Sequence, residues 1–130
     1  PSSYLAMGEI DVKTAVIAAQ TGTIQASHIA SMDGATLVEF ATPEETIAAV
    51  KNGEADAVLA DKSFLAPFAE AEADLQMLEQ TELLGGGIGL GIRESDTELR
   101  EKFNVAIQSM KADGSLNALI AKWLPEAEQF

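Results

Sequence analysis

Hydrophobic residues in the first two thirds of the chain cluster in short runs separated by stretches with helical spacing. Three apolar runs of four to six residues lie at 15–19, 35–40 and 56–60. Apolar runs of this length, bounded by turn residues, are typical of buried strands. Because such near-continuous runs suit strands covered on both faces, they favour a mostly parallel sheet flanked by helices.

The segments between these runs carry helix signals. Thr42-Pro43-Glu44-Glu45 combines an N-cap Thr, Pro in the first turn and Glu three residues after the cap, and Gly53 provides a stop. This pattern predicts a helix over 43–52, and weaker helical patterns cover 23–32 and 62–72. Strand and helix therefore alternate three times, which predicts an α/β fold.

A glycine-rich segment at 85–91 separates this part from a purely helical one. It lacks the third glycine of a dinucleotide loop, because position 92 is Ile, and no strand-to-helix context follows. A flexible crossover is the better interpretation. Beyond it, Ser95-Asp96-Thr97-Glu98 predicts a capping box and Ser115 a second helix cap. The two helices carry apolar stripes that are typical of core: Leu99, Phe103, Ala106, Ile107 and Met110, then Leu116, Leu119, Ile120, Trp123 and Leu124.

Composition and charge remove several functional classes. The 130 residues carry a net charge of −13, which disfavours nucleic acid and anionic lipid as partners. With no Cys and one His, the chain offers no thiolate zinc site or cysteine nucleophile, and we expect no metal or cofactor. No basic segment followed by an apolar one opens the chain, so we expect that a signal peptide was removed or that the sequence is a fragment.

The first candidate for chemistry is the turn Gln20-Thr21-Gly22-Thr23, where a predicted strand leads into a helix. Backbone N–H groups and a Thr hydroxyl at a helix N-terminus can bind a carboxylate or phosphate. The alternative is an ordinary turn in which Thr23 only caps the helix.

The second candidate is Asp61, which follows the strand at 56–60. Ligands of α/β sheets bind outside the carboxyl ends of strands, so we expect Gly22, Thr23 and Asp61 to lie within about 10 Å of one another. A carboxylate beside an anion site would bind a zwitterion. The alternative is that Asp61 only caps the next helix. His28, with Ser27 and Asp33 nearby, does not form a hydrolase triad, since sequence neighbours face different sides of a helix.

Taken together, these segments resemble the extracytoplasmic solute-binding proteins of polar amino-acid ABC transporters, which are periplasmic binding proteins of type 2. The likeness covers nearly the whole chain and lies in the order and spacing of several weak motifs. These are Gln20-Thr21-Gly22-Thr23, Glu44-Glu45, Lys51-Asn52-Gly53-Glu54-Ala55-Asp56-Ala57-Val58 with Asp61, Gly89-Leu90-Gly91-Ile92-Arg93, Leu99-Arg100, Met110-Lys111-Ala112-Asp113-Gly114 and Lys122-Trp123.

The resemblance implies two lobes that close on a ligand. Residues 9–84 then correspond to the second lobe, 1–8 and 85–91 to crossover strands, and 92–130 to the C-terminal helices of a first lobe whose N-terminal half is missing. Gly22 and Thr23 match the turn that holds the ligand α-carboxylate, and Asp61 matches the acid that receives the α-ammonium. Gln20, Thr21 and Gln25 are flanking contacts, and Ile24 departs from a frequent second Thr.

The resemblance also implies a function. We expect periplasmic binding of an amino acid, with a basic amino acid such as lysine, arginine, ornithine or histidine, or an opine, favoured, and delivery to the membrane permease of an ABC transporter. The protein would not be an enzyme. The alternatives are an amino-acid-precursor dehydratase of similar fold and a sensing domain of a receptor or regulator. Without a first-lobe sheet to cover them, the helix stripes in 93–130 should dock on the second lobe or on another copy of the chain, and a symmetric homodimer of this fragment is favoured.

Overall fold

The computed structural model describes residues 1–125, 127, 129 and 130. Its strands are β1 Ser2–Ala6, β2 Val16–Gln20, β3 Thr36–Phe40, β4 Ala57–Asp61 and β5 Gln76–Glu82. Its helices are α1 Ile24–Ala30, α2 Pro43–Lys51, α3 Lys62–Ala71, α4 Thr97–Ala112 and α5 Ser115–Trp123. The three strands predicted from apolar runs are confirmed to within about one residue, whereas β5, which has few apolar residues, was not predicted.

The five strands form one sheet in the order β3-β2-β4-β1-β5. Strand β2 pairs in parallel with β3 and β4, and β1 pairs antiparallel with β4 and β5. Four strands therefore run in one direction and β1 runs against them. The predicted α/β class and mostly parallel sheet are confirmed, with β1 as the exception.

The core lies on both faces of this sheet because side chains alternate between the faces along each strand. One face is formed by Leu5, Ala18 and Val58, which pack with residues of α2 and α3 such as Ile47, Val50 and Leu65. The opposite face is formed by Tyr4, Ile17, Ala19 and Leu59, which pack with Ala26 and Ile29 of α1. Strands β1, β2 and β4 are thus buried on both faces.

Helix α2 begins with the predicted capping box. The Thr42 hydroxyl accepts a hydrogen bond from the Glu45 N–H at 3.3 Å, and the Thr42 N–H donates to the Glu45 carboxylate at 2.9 Å. The hydrogen bond from the Thr42 backbone N–H to the Glu45 carboxylate lowers the pKa of Glu45, and the Thr42 side chain lowers it further. The box fixes the junction between β3 and α2, and with it the position of Pro43 at the edge of the sheet.

Tyr4 ties β1 to the edge strand β5 on the α1 side of the sheet. Its buried hydroxyl donates to Glu82 Oε1 at 3.2 Å, and Gln80 Nε2 donates to the same oxygen at 2.8 Å. Burial is the main cause that raises the pKa of Tyr4 far above its usual value, and the negative charge of Glu82 raises it further. His28 Nε2 lies 3.8 Å from Glu82 Oε2, so this side chain faces β5 rather than open solvent.

Residues 86–130 form a second compact unit, with helix starts that differ from the prediction. The N-cap of α4 is Asp96 and not Ser95, and the Asp96 carboxylate accepts from Arg93 Nε at 2.8 Å instead of capping. Ser115 is the first helical residue of α5 after Gly114, and its N–H donates to the Asp113 carboxylate at 2.8 Å. Both predicted side-chain caps are therefore wrong.

The apolar stripes of α4 and α5 are not buried in the described part of the chain. Neither helix contains a buried residue, and Trp123 is 68% exposed. The prediction that the Trp123 stripe is core is wrong for these residues. No described helix has the length and apolar character needed to cross a membrane. Residues 85–91 form neither helix nor strand, and their interpretation as a crossover stays a prediction.

Leu65 provides a test of the packing that holds α3 to the sheet. This side chain is fully buried, and its truncation in Leu65→Ala should lower the free energy of unfolding by about 2 to 5 kcal/mol through lost burial and a cavity. Chemical denaturation measures the change. Leu83, which is 74% exposed, is the matched control, and Leu83→Ala should change stability by less than about 0.5 kcal/mol. Equal effects would contradict the described core.

Candidate functional site

The carboxyl ends of the three mutually parallel strands meet at one edge of the sheet. Strand β2 ends at Gln20, β4 ends at Asp61, and β3 leads through a short turn to Pro43. A cavity of about 240 Å³ opens at this edge. Nine described residues line it: Gln20, Thr23, Gln25, Pro43, Thr46, Leu59, Ala60, Asp61 and Phe64. Its position is the one expected for ligand sites in α/β sheets.

Asp61 is the one charged residue among the described lining residues. It occupies the N-cap position of α3, yet its side chain makes no capping hydrogen bond. Instead, its Oδ1 accepts from Gln25 Nε2 at 2.9 Å. The side chain is exposed at the rim of the cavity. The structure therefore contradicts the alternative that this carboxylate only caps the helix.

Gln25 joins three elements through one amide nitrogen. Its Nε2 donates to Asp61 Oδ1 at 2.9 Å and to Ser2 Oγ at 3.0 Å. A side-chain amide nitrogen carries two N–H donors, so both are already used. Gln25 is 8% exposed and Ser2 is 2% exposed. The amide nitrogen of Gln25 is therefore an internal donor of the protein, and only its oxygen remains to contact a ligand.

Thr23 caps α1, as the alternative anticipated. Its hydroxyl accepts from the Ala26 N–H at 3.2 Å and donates to the Gln20 carbonyl oxygen at 2.7 Å. Gly22 precedes it with a φ of 77°, in the left-handed region that favours glycine. The Thr23 N–H also donates to the Gln20 carbonyl oxygen, at 3.4 Å. Anion binding at this turn would therefore depend on the remaining backbone N–H groups.

The cavity brings together four of the six predicted site residues: Gln20, Thr23, Gln25 and Asp61. Thr21 and Gly22 belong to the same turn but do not line the cavity, and the Thr21 N–H donates to the Phe40 carbonyl oxygen at 2.9 Å. Their roles as ligand contacts stay predictions.

Sequence reasoning missed the lining residues that follow β3 and β4: Pro43, Thr46 and Phe64. The rule that ligands bind at strand ends, applied to β3 as well, would have found the first two.

The chemistry of the lining suits binding of a cation next to neutral polar groups. One carboxylate lies beside two amides, two hydroxyls and an aromatic ring, and the described lining contains no second acid. In the described part of the chain, no three His, Asp or Glu side chains are grouped as metal ligands.

A sequence model of the family described as bacterial extracellular solute-binding proteins, family 3, matches residues 11–126. Among curated relatives, the arginine-binding periplasmic protein of Mannheimia haemolytica is 26% identical over 132 residues, covering 95% of this chain and 56% of that protein. The glutamine-binding protein GlnH of an ABC transporter in Bacillus subtilis is 25% identical, covering 71% of this chain and 33% of that protein.

Solved structures give a similar result. A periplasmic His/Glu/Gln/Arg/opine family-binding protein from Silicibacter pomeroyi, crystallised in complex with lysine, is 56% identical with a TM-score of 0.81. The match covers 99% of this chain and 59% of that one. An ancestral arginine-binding protein bound to arginine is 23% identical with a TM-score of 0.73, covers 94% of this chain and 59% of that one, and supports the fold alone. In the curated relatives compared, the matched part is 18% to 56% of the relative's own length, so the chain spans about half of these proteins or less.

Thr23 offers a test of the turn at this edge. Thr23→Val keeps the shape but removes the cap of α1, and should lower the free energy of unfolding by about 0.5 to 2 kcal/mol. Thr23→Ser retains the hydroxyl and should lose less. Chemical denaturation of both variants measures the difference, and equal stability of the Val variant and the unaltered protein would contradict the observed cap.

Proposed function

We propose that this chain, which belongs to the bacterial extracellular solute-binding proteins of family 3, is part of a protein that captures an amino acid outside the cytoplasm. The observation that carries the proposal is the Asp61 carboxylate, which lies at a strand-end cavity and is not used as a helix cap. A carboxylate so placed is suited to receive an ammonium group.

The ligand we propose is a basic amino acid or an opine. Support comes from the 56% identical protein, whose crystal structure contains lysine, and from relatives named as arginine-binding. Residues 1–92 also carry 14 acidic and three basic residues, an imbalance that attracts a cationic ligand. Other relatives are named as glutamine- and glutamate-binding. Those amino acids have the same α-ammonium and α-carboxylate groups as a basic amino acid, and these are the groups that we propose bind at this edge.

In the proposed binding mode, the two charged groups of the amino acid are bound at two different strand ends. Asp61 receives the α-ammonium, and the turn at Gly22 and Thr23 holds the α-carboxylate through backbone N–H groups. The cavity of about 240 Å³ is smaller than the roughly 300 to 1,000 Å³ of complete small-molecule sites, which fits one wall of a cleft between two lobes. The role is capture without chemical change, followed by delivery to the permease of an ABC transporter.

Asp61→Ala in the full-length protein that carries this chain tests the ligand site. The substitution should leave the ligand ammonium desolvated and unpaired, costing about 2 to 5 kcal/mol of binding free energy for lysine or arginine. Titration calorimetry measures the dissociation constants. Asp74→Ala removes an exposed carboxylate outside the cavity lining and should leave them unchanged. Unchanged affinity in the Asp61 variant would contradict the site, and no binding by the unaltered protein would contradict the function.

We also propose that the 130-residue chain, when isolated, forms a homodimer through α4 and α5. Leu99, Phe103 and Ile107 are between 39% and 43% exposed, and each large apolar side chain gains about 1.5 to 3 kcal/mol when buried. In the two-lobe proteins that the chain resembles, a first-lobe sheet would cover this stripe. A symmetric pair of chains would cover it here.

Light scattering on the isolated chain tests the dimer. We expect a mass of two chains, which falls to one chain in Phe103→Glu because a charge then enters the apolar stripe. Val105, which lies two residues along and therefore on another side of the helix, is the matched control, and Val105→Glu should remain dimeric. A monomeric unaltered chain would overturn the proposal.

A further inference from the structure

We propose that Gln25 is a positioning residue that holds the Asp61 carboxylate in the orientation needed to receive a ligand cation. The inference rests on the proposed function, since it concerns the same site. It differs from the expectation that Gln25 contacts the ligand, because both N–H donors of its amide are already engaged with Ser2 and Asp61.

Chemistry fixes the orientation of the Gln25 amide. An ionised carboxylate can only accept hydrogen bonds, so the group that faces Asp61 Oδ1 at 2.9 Å must be the amide nitrogen and not its oxygen. The second N–H then points to Ser2 Oγ at 3.0 Å. Because Gln25 and Ser2 are both buried, loss of either bond would leave a polar group without water or partner. The amide is therefore held firmly between β1 and β4.

The Asp61 carboxylate has an alternative set of hydrogen-bond donors, the backbone N–H groups at the start of α3. It stands at the N-cap position of α3, where Asp is among the most favoured residues because its side chain can accept from the free N–H groups of the first turn. In the structure it makes no such bond and accepts from Gln25 instead. Its other oxygen, Oδ2, accepts no hydrogen bond from the described residues, which leaves it for a ligand.

These observations describe one carboxylate with two competing partners. With Gln25 present, the carboxylate is held at the rim of the cavity. Without it, the carboxylate should rotate to cap α3 through the N–H groups of Ser63 or Phe64, and the ligand ammonium would lose its partner. Gln25 would thus act on the ligand only through Asp61.

Gln20 is a matched control for this argument. It is the same residue type and lines the same cavity, but its Nε2 donates to the Ala41 carbonyl oxygen at 3.2 Å and does not contact Asp61. Any effect of Gln20 on binding should therefore be independent of the side chain at position 61.

The test is a double-mutant cycle in the full-length protein, with lysine as the titrant in calorimetry. Gln25→Leu should weaken lysine binding by about tenfold, as expected when a contacting partner is lost, and should have no further effect in an Asp61→Ala background. Gln20→Leu should change affinity by the same factor in both backgrounds. Equal effects of Gln25→Leu in both backgrounds would overturn the proposal, because a direct ligand contact or a general loss of structure does not depend on Asp61.

A crystal structure of the Gln25→Leu variant gives a second readout that needs no ligand. We expect the Asp61 carboxylate within hydrogen-bond distance of the Ser63 or Phe64 N–H, and a carboxylate that has not moved would overturn the proposal. If the Leu variant does not fold, Gln25→Met retains the length without the donors and replaces it in both experiments. An unaltered protein that binds neither lysine nor arginine would refute the proposed function, while the position of Asp61 would still decide the role of Gln25.

Discussion

The parallel alignment of β2 with β3 and β4 is the constraint on which the candidate site depends. Because β2 pairs in parallel on both sides, three carboxyl ends meet at the same edge of the sheet. The register places Gln20 opposite Phe40 on one side and Ala18 opposite Val58 on the other, so the turn after Gln20 and the carboxylate at 61 become neighbours. An antiparallel pairing would have sent one of these ends to the opposite edge.

The site is made of groups that are mostly occupied with holding the protein together. The Thr23 hydroxyl caps a helix, the Gln20 amide binds the backbone after β3, and the Gln25 amide spans two strands. Each of these bonds fixes a side chain at the rim and reduces the freedom that binding would otherwise remove. Asp61 differs, because it is exposed, ionisable and only partly satisfied. The site is therefore a rigid polar frame around one available charge.

Local signals were sufficient for much of the fold but not for the site. The strands at 16–20, 36–40 and 57–61 are near-continuous apolar runs, and the Thr42 capping box is formed by residues three apart, so both could be predicted. Strand β5 is an edge strand with few apolar residues and gives little signal. At α4 the N-cap is Asp96 and not Ser95, and the Asp96 carboxylate accepts from Arg93 Nε instead of capping the helix. The bond between Gln25 and Asp61 joins residues 36 positions apart and exists only once the sheet has formed.

The place of β1 in the sheet has a consequence for the order in which the protein folds. Ser2 pairs with Asp61 on one side and Glu82 on the other, so both strand pairings of β1 join residues that are distant in sequence. Closing such long loops is slow, whereas β2 and β3 are joined by a short connection through α1. We expect β2 and β3 to assemble early and β1 to enter last together with β5, whose neighbour in the sheet is β1. Ser2 also completes the hydrogen bonds of Gln25, so the binding edge becomes ordered only in this final step.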